Sequence, residues 1–349
     1  MATIREIAAI AGVSRSTVSL VLNNSELVKR ETREKVLEVI REMKYVPNNN
    51  ARNLSRKVMS SLGVIVLSDQ ERSRSYDFDN GVGLYSLNVI RGIASRLEGS
   101  DYSMNIEYFC AADAGESIPR LFRERRIDGA FIIGGFCEEP FIKTLLESGI
   151  PFVTVAVGAN ERLCDSVVSD PAQGAYESMR YLARHGHRRI GFVNCPETFR
   201  SAHLRVKGAA RAMGEFALDF PQESMIFCRH NNGESGYAAM EKAWQEGLRF
   251  DGLATANPQV ALGALRFLQE QGMRVPEDVS CVAYEDNSLC GYASPSLTAI
   301  NIQKEAMGEA AVDLLLDRIV DPQRETRGVC IESYLVERDS VIHRDTGAR

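Results

Sequence analysis

The chain has 349 residues and a formal net charge of −6, with 41 Lys and Arg against 47 Asp and Glu. Its 44% hydrophobic and 25% charged residues give it the composition of a soluble globular protein of two or three domains. No apolar run nears the ~18–20 residues that span a bilayer, no secretory leader is visible, and the eight cysteines stand singly without Cys-x-x-Cys, so membrane-embedded, secreted and zinc-built classes are excluded and a cytoplasmic location is expected.

The charge is segregated. Residues 1–58 hold eleven Lys and Arg against six Glu, so that stretch is +5 and the remainder −11. A basic head on an acidic body is the balance of a protein whose head alone meets a polyanion. On charge alone, a solvated basic helix is the alternative.

Thr3-Ile4-Arg5-Glu6 has the Thr-x-x-Glu form of a capping box, which starts a helix at Ile4. Ile4, Ile7, Ala8 and Ala11 give that helix one apolar face, and Gly12 supplies the turn that ends it. Ser14 is the N-cap of a second helix, with Val18, Val21 and Leu22 turned inward. A third helix is expected over Glu31–Lys44, with Val36, Val39, Ile40 and Met43 closing the core. Two short helices joined by such a turn form a helix-turn-helix, with a helical hairpin used for protein contact as the alternative. With its second helix in a major groove, the outward side chains are Arg15, Ser16, Ser19, Leu20 and Asn23. Arg15 suits the O6/N7 edge of guanine, Ser16 several bases, and Leu20 only a thymine methyl. Thr17, Thr32 and Arg33 suit phosphates, which position the protein without specifying sequence.

Beyond the head, Pro47 stops the third helix and Asn48-Asn49-Asn50 is a poor helix former. Ala51-Arg52-Asn53-Leu54 can form one helical turn, but a stretch of about 8 residues does not stay helical alone, so it is expected to order only on DNA.

From Leu62 onward, short apolar runs alternate with helical periods. Strands are expected at Leu62–Leu67, Ser103–Phe109, Gly129–Ile133, Pro151–Val157, Arg189–Asn194, Gly252–Ala256 and Val279–Tyr284. Between them lie helical stretches such as Leu84–Leu97, Ala172–Arg184, Leu204–Phe216, Gly236–Glu246, Gln259–Gln271 and Lys304–Ile319. Such alternation implies parallel sheets in open α/β layers, divided into two lobes with a cleft where the strands' carboxyl ends meet.

Two motifs at the start of the chain carry a resemblance. Thr3-Ile4-x-x-Ile7-Ala8-x-x-Ala11-Gly12-Val13-Ser14-x-x-Thr17-Val18-Ser19-x-Val21-Leu22-Asn23, followed by Tyr45-Val46-Pro47-Asn48-x-x-Ala51-Arg52-x-Leu54, resembles the signature and hinge of the lactose/galactose repressor (LacI/GalR) family. Within the body, Gly186-His187-x-x-Ile190, Ser201-x-x-x-Arg205-x-x-Gly208, Val275-Pro276-Glu277-Asp278-Val279-Ser280 and Pro295-Ser296-Leu297-Thr298 resemble further family elements. The likeness implies a small all-α helix-turn-helix head on a two-lobed α/β effector domain like the periplasmic binding proteins. Its boundaries fall at 1–46 for the head, 47–60 for hinge and linker, 61–340 for the lobes and 341–349 for a polar tail. The first lobe takes 61–163 and 294–321 and the second 164–293 and 322–340, with crossings near Cys164, Ser294 and Asp321. The resemblance also implies that Leu54, with Asn48 and Ala51 beside it, enters the minor groove at the centre of a double-stranded, pseudo-palindromic operator held by a homodimer. For a small-molecule effector it points to Ser201, Arg205, Asn257, Glu285 and Lys304.

The chain departs from the family at several places. Leu20 stands where members commonly carry arginine, and Lys29 replaces a helix-capping serine. Ala156, Pro258 and Glu285 occupy places where sugar-responsive members use aspartates, so a neutral sugar is not the expected ligand, and Arg205 and Lys304 leave room for an anionic one. The reading is a ligand-modulated regulator, by default a repressor, with no cofactor, metal or catalytic constellation. A P-loop, a dinucleotide fingerprint and a His-Glu-x-x-His motif are all missing. Its competitors are a solute-binding module whose head has lost DNA binding and a small-molecule enzyme on the same α/β frame.

Overall fold

A computed structural model describes residues 3–22, 25, 27–45, 59–68, 81–110, 117–134, 139–156 and 163–344. The chain divides into two compact units, Met1–Met59 and Ser60–Arg349.

In the first unit, α1 (Ile4–Ala11), α2 (Arg15–Leu22) and α3 (Arg30–Glu42) enclose Ile7, Ala8, Ala11, Val18, Val21, Val36 and Val39. The capping box is formed: Thr3 Oγ1 accepts from the Glu6 amide at 3.3 Å, and the Glu6 carboxylate accepts from the Thr3 amide at 2.9 Å. Gly12 ends α1 at φ 65°, a left-handed conformation that favours glycine. The third helix runs one residue earlier at its start than expected and ends before Lys44, whose φ of 47° leaves the helical region. Lys29 occupies its N-cap and offers no side-chain bond.

Among the described residues the second unit contains two six-stranded sheets. The first is built from β1 (Ser61–Ser68), β2 (Ser103–Cys110), β3 (Gly129–Ile133), β4 (Phe152–Val155), β5 (Asp165–Ser169) and β11 (Gly328–Ile331), in the order β11-β5-β4-β3-β1-β2. All its pairings are parallel, with Val64 opposite Ile106 on one side and Phe131 on the other. The second is built from β6 (Ile190–Asn194), β7 (Met225–Phe227), β8 (Gly252–Thr255), β9 (Ser280–Tyr284), β10 (Thr298–Asn301) and β12 (Tyr334–Val336), in the order β12-β10-β9-β8-β6-β7. Only β12 runs antiparallel. Strands such as Gly129–Ile133 are buried along their whole length because helices cover both faces, which is why they read as unbroken apolar runs.

Helices α4 (Gly81–Arg96), α5 (Arg120–Arg123), α6 (Glu139–Glu147) and α12 (Lys304–Val320) serve the first sheet. Helices α7 (Pro171–Arg184), α8 (Arg200–Glu215), α9 (Gly233–Gln245), α10 (Pro258–Glu270) and α11 (Ser288–Tyr292) serve the second. The helices α4 and α12 approach so closely that a Cβ on Gly92 would strike the Glu305 carbonyl, and one on Gly308 the Val89 carbonyl.

The lobe boundaries require correction. The chain passes from the first sheet to the second between β5 and α7, returns between β10 and α12, and leaves again between β11 and β12. Crossings near Cys164, Ser294 and Asp321 were each one strand too early, because β5, β10 and β11 are strands of five, four and four residues that the periodicity did not reveal. The first crossing turns on Asp170, whose carboxylate caps α7 by accepting from the Ala172 and Gln173 amides at 2.9 and 3.0 Å, with Pro171 following. At the second, Gln303 adopts φ 53° and donates to the Glu332 carbonyl of the third crossing at 2.7 Å.

One buried ion cluster pins the first lobe. Asp165, fully enclosed, receives Arg318 at 2.9 and 3.1 Å, Arg324 at 2.8 and 3.1 Å, and the Arg327 amide at 2.8 Å. Burial alone would raise the Asp165 pKa, but the Arg318 bonds, the Arg327 amide and the two guanidinium charges hold it below the ordinary value of 3.8.

Candidate DNA-reading face and effector site

On the head, Ser14 Oγ accepts from the Thr17 amide at 3.0 Å, the bond that begins α2. The same hydroxyl lies 2.9 Å from Ser16 Oγ and 2.8 Å from Thr17 Oγ1, so the three hydroxyls form a small cluster at the start of the helix. Arg15, Ser16, Ser19 and Leu20 are exposed, and Thr17 is half-buried. Exposed side chains at the first turn of a second helix form the surface that a groove-reading helix requires. Thr32 and Arg33 are half-buried on α3, and Arg33 gives one of its N–H groups to the Ser25 carbonyl at 2.6 Å. That bond fixes the α2–α3 connection. Asn23, Asn48, Ala51 and Leu54, with the hinge turn expected there, lie outside the described residues.

In the body, Cys195 follows β6, Asn257 follows β8 by two residues, and Glu285 follows β9. The carboxyl ends of parallel strands thus bring together residues far apart in sequence, as open α/β sheets do at their ligand sites. Arg205 reaches this end from the second turn of α8 and is 5% exposed. Its guanidinium lies over the Tyr284 ring at 4.5 Å, donates from Nη1 to Cys195 Sγ at 3.0 Å, and stands 3.8 Å from the Glu285 carboxylate. Its Nε has no partner. A Cβ at Gly174 would collide with the Tyr284 ring, so the glycine of α7 makes the space in which that ring lies under the guanidinium. Ser201, four residues earlier on the same helix, has its Oγ 3.9 Å from Cys195 Sγ.

Lys304 enters from the other lobe. As the first residue of α12 it is 6% exposed, and its Nζ donates to the carbonyls of Asp286 at 3.0 Å and Glu285 at 3.3 Å. Glu285 takes φ 67° to turn there. Burial raises the Glu285 pKa, opposed by the charges of Lys304 and Arg205, while burial lowers that of Lys304 and Glu285 opposes it. Burial also pushes the Tyr284 phenol up to about 12, with Arg205 opposing.

Ser201, Arg205, Glu285 and Lys304 therefore gather in one place. Asn257 is committed elsewhere: wholly buried, it caps α10 by accepting from the Val260 amide at 2.8 Å and donates to Asn231 Oδ1 at 2.7 Å. Its role is that of a helix cap, reinforced by Pro258. Tyr85 is buried in the first lobe's core, its hydroxyl donating to Met307 Sδ at 3.5 Å. Sequence reasoning missed Cys195 and Tyr284, although both sit where a strand's carboxyl end exposes its next side chains. Among the described residues, no group of three or more His, Cys, Asp or Glu side chains is placed to hold a metal ion.

Comparison with known proteins places these features in context. A family model described as bacterial regulatory proteins, lacI family, matches residues 3–48, and one described as a periplasmic binding protein-like domain matches residues 179–341. The HTH-type transcriptional repressor PurR of Escherichia coli O1:K1 / APEC is 31% identical over 344 residues, covering 98% of this chain and 97% of the relative. Among solved structures, a complex of the transcriptional regulator CelR with cellobiose aligns with a TM-score of 0.71 at 26% identity, covering 97% of this chain and 100% of that one. The lac repressor dimer bound to operator and the anti-inducer ONPF aligns with a TM-score of 0.80 at 24% identity, covering 98% and 99%.

Proposed function

The chain belongs to the LacI family of bacterial regulatory proteins, and on that footing we propose that it is a sequence-specific DNA-binding transcriptional repressor whose operator affinity is set by a small molecule bound between its lobes. The observation that carries this is the exposed first turn of α2 on a folded three-helix head, in a chain that matches a repressor over 98% of its length.

Arg15, Ser16, Ser19, Leu20 and Asn23 are assigned to base edges in the major groove, and Thr17, Thr32 and Arg33 to phosphates. One such head reads too few base pairs to single out a site. Two copies of the chain on a pseudo-palindrome double the contacts and convert dimer symmetry into half-site spacing. Asn48, Ala51 and Leu54 are assigned to the operator centre. Repression is the sign favoured by the relative's activity, and the solved neighbours with cellobiose or an anti-inducer support small-molecule control. The effector is assigned to Ser201, Arg205, Glu285 and Lys304, which come from both lobes, so binding there alters the lobes' relative preference and through it the head's affinity. A cytoplasmic regulator without catalytic activity fits these relatives, and no described helix is long and apolar enough to cross a membrane.

Selection of duplexes from a random pool by the full-length protein tests the reading. The expected product is a two-fold-symmetric site bound by two copies of the chain. Recovery of no common sequence would overturn it.

A further inference from the structure

Resting on the assignment of the effector to the interlobe residues, we propose that the effector is an acid, whose carboxylate or phosphate oxygens are received by Arg205, with Ser201 beside it and Lys304 contributing the second positive charge. The argument begins with how this protein treats its other enclosed arginines. Arg318 and Arg324 each make two bonds to the Asp165 carboxylate and further bonds to backbone carbonyls. Arg338 pairs with both Asp286 oxygens and donates to the Leu297 carbonyl. Arg205 has less exposed side chain than any of these three, at 6%, yet among the described residues no oxygen lies within hydrogen-bond distance of it. Nη1 has only a thiol, Nη2 is 3.8 Å from Glu285, and Nε has nothing.

A buried guanidinium without a hydrogen-bonded oxyanion is costly, and where Arg318, Arg324 and Arg338 each grip a carboxylate, Arg205 does not. Stacking on Tyr284 holds the fork in one plane, the preorganised state in which Arg takes a carboxylate or phosphate bidentately. The Nε and Nη2 groups form one edge of that fork, and it is the unsatisfied edge. Glu285 does not fill it at 3.8 Å, and its carboxylate, where ionised, repels an acid placed there. Lys304 keeps the described cluster cationic. The amide of Asn257, a natural acceptor for a neutral polyol, is spent on Val260 and Asn231.

Calorimetric titration of the full-length protein at constant ionic strength tests this, with inorganic phosphate and succinate as the acidic probes and glucose and ribose as the uncharged ones. Saturable binding of phosphate identifies the phosphate source and of succinate the carboxylate source; either supports the assignment. In Arg205→Met the binding weakens at least about tenfold. In Glu285→Gln it strengthens about threefold, because a repelling carboxylate has gone, and a gain of this kind cannot come from misfolding. No saturable binding of either acid, unchanged binding in Arg205→Met, or weaker binding in Glu285→Gln would overturn it. A retardation assay on the same samples separates the two levels. A sugar that binds through Arg205 and shifts operator affinity would refute the acid and keep the effector site. An acid that binds through Arg205 without touching operator affinity would keep the acid and refute the coupling.

Discussion

Two arginines and one aspartate show how a buried charge is stabilised in this chain. Asp165 contributes no solvent-exposed surface and is held by Arg318, Arg324 and the Arg327 amide. Asp165→Asn leaves two guanidinium groups facing a neutral amide and should destabilise the second unit by about 3–5 kcal/mol, read in urea unfolding. The pH dependence follows from the lowered pKa of this carboxyl. Its stabilisation is complete above the unfolded value of 3.8 and is lost as pH falls through the lower folded value. The wild-type protein should therefore lose stability on that acid limb, and the asparagine variant should show a flatter one. At the head, Lys29 sits at an N-cap without a side-chain bond, so Lys29→Ser should raise the head's stability by about 1 kcal/mol, measured by thermal melting. Arg205 is the contrasting case, an enclosed cation with the Glu285 carboxylate at 3.8 Å and no oxygen of the described residues within hydrogen-bond distance.

Among the elements, the recognition helix carries the sharpest expectation. Arg15→Ala should cost about 1–3 kcal/mol of discrimination at one base pair of the operator, seen as relaxed selection at that position only. Thr32→Ala should instead weaken binding evenly across sequences, since a phosphate contact carries no base information. The elements that local sequence revealed are those with a local cause. The capping box at Thr3, the glycine at position 12 and the serine at position 14 all act within four residues of themselves. Buried strands such as Gly129–Ile133 announced themselves through unbroken apolar runs. The strand Asp165–Ser169 did not, because its first residue is a carboxylate whose partners lie 153 and 159 residues away. Thr298–Asn301 and Gly328–Ile331 were not read as strands either, although Phe152–Val155 and Gly252–Thr255, of the same length, were. At the site, Ser201 and Arg205 were reached through the resemblance of Ser201-x-x-x-Arg205-x-x-Gly208 to a family element, which lies on one helix. Cys195 and Tyr284 were not, since each acquires its role only when two chain segments meet. The cap formed by Asn257 was not foreseen for the opposite reason: its side chain serves its own helix.

At the scale of the whole molecule, the two lobes are joined by three crossings, and these are what the proposed effector would act on. Lys304, on a first-lobe helix, donates to the carbonyls at the end of a second-lobe strand and so ties the second crossing to the residues around Arg205. Truncating this tie in Lys304→Met should weaken the effect of any effector on operator affinity while leaving effector-free operator binding within about threefold, a comparison open to the retardation assay. The segregated charge, +5 over residues 1–58 and −11 over the rest, makes the head net cationic and the rest of the chain net acidic. The most direct measurement is competition between one selected duplex and its scrambled counterpart for full-length protein over a salt series. The expected result is a preference of at least about a thousandfold, with log affinity falling by about 0.9 per log unit of salt for each phosphate contacted. Equal binding of the two duplexes, or an affinity indifferent to salt, would contradict a head built to read DNA.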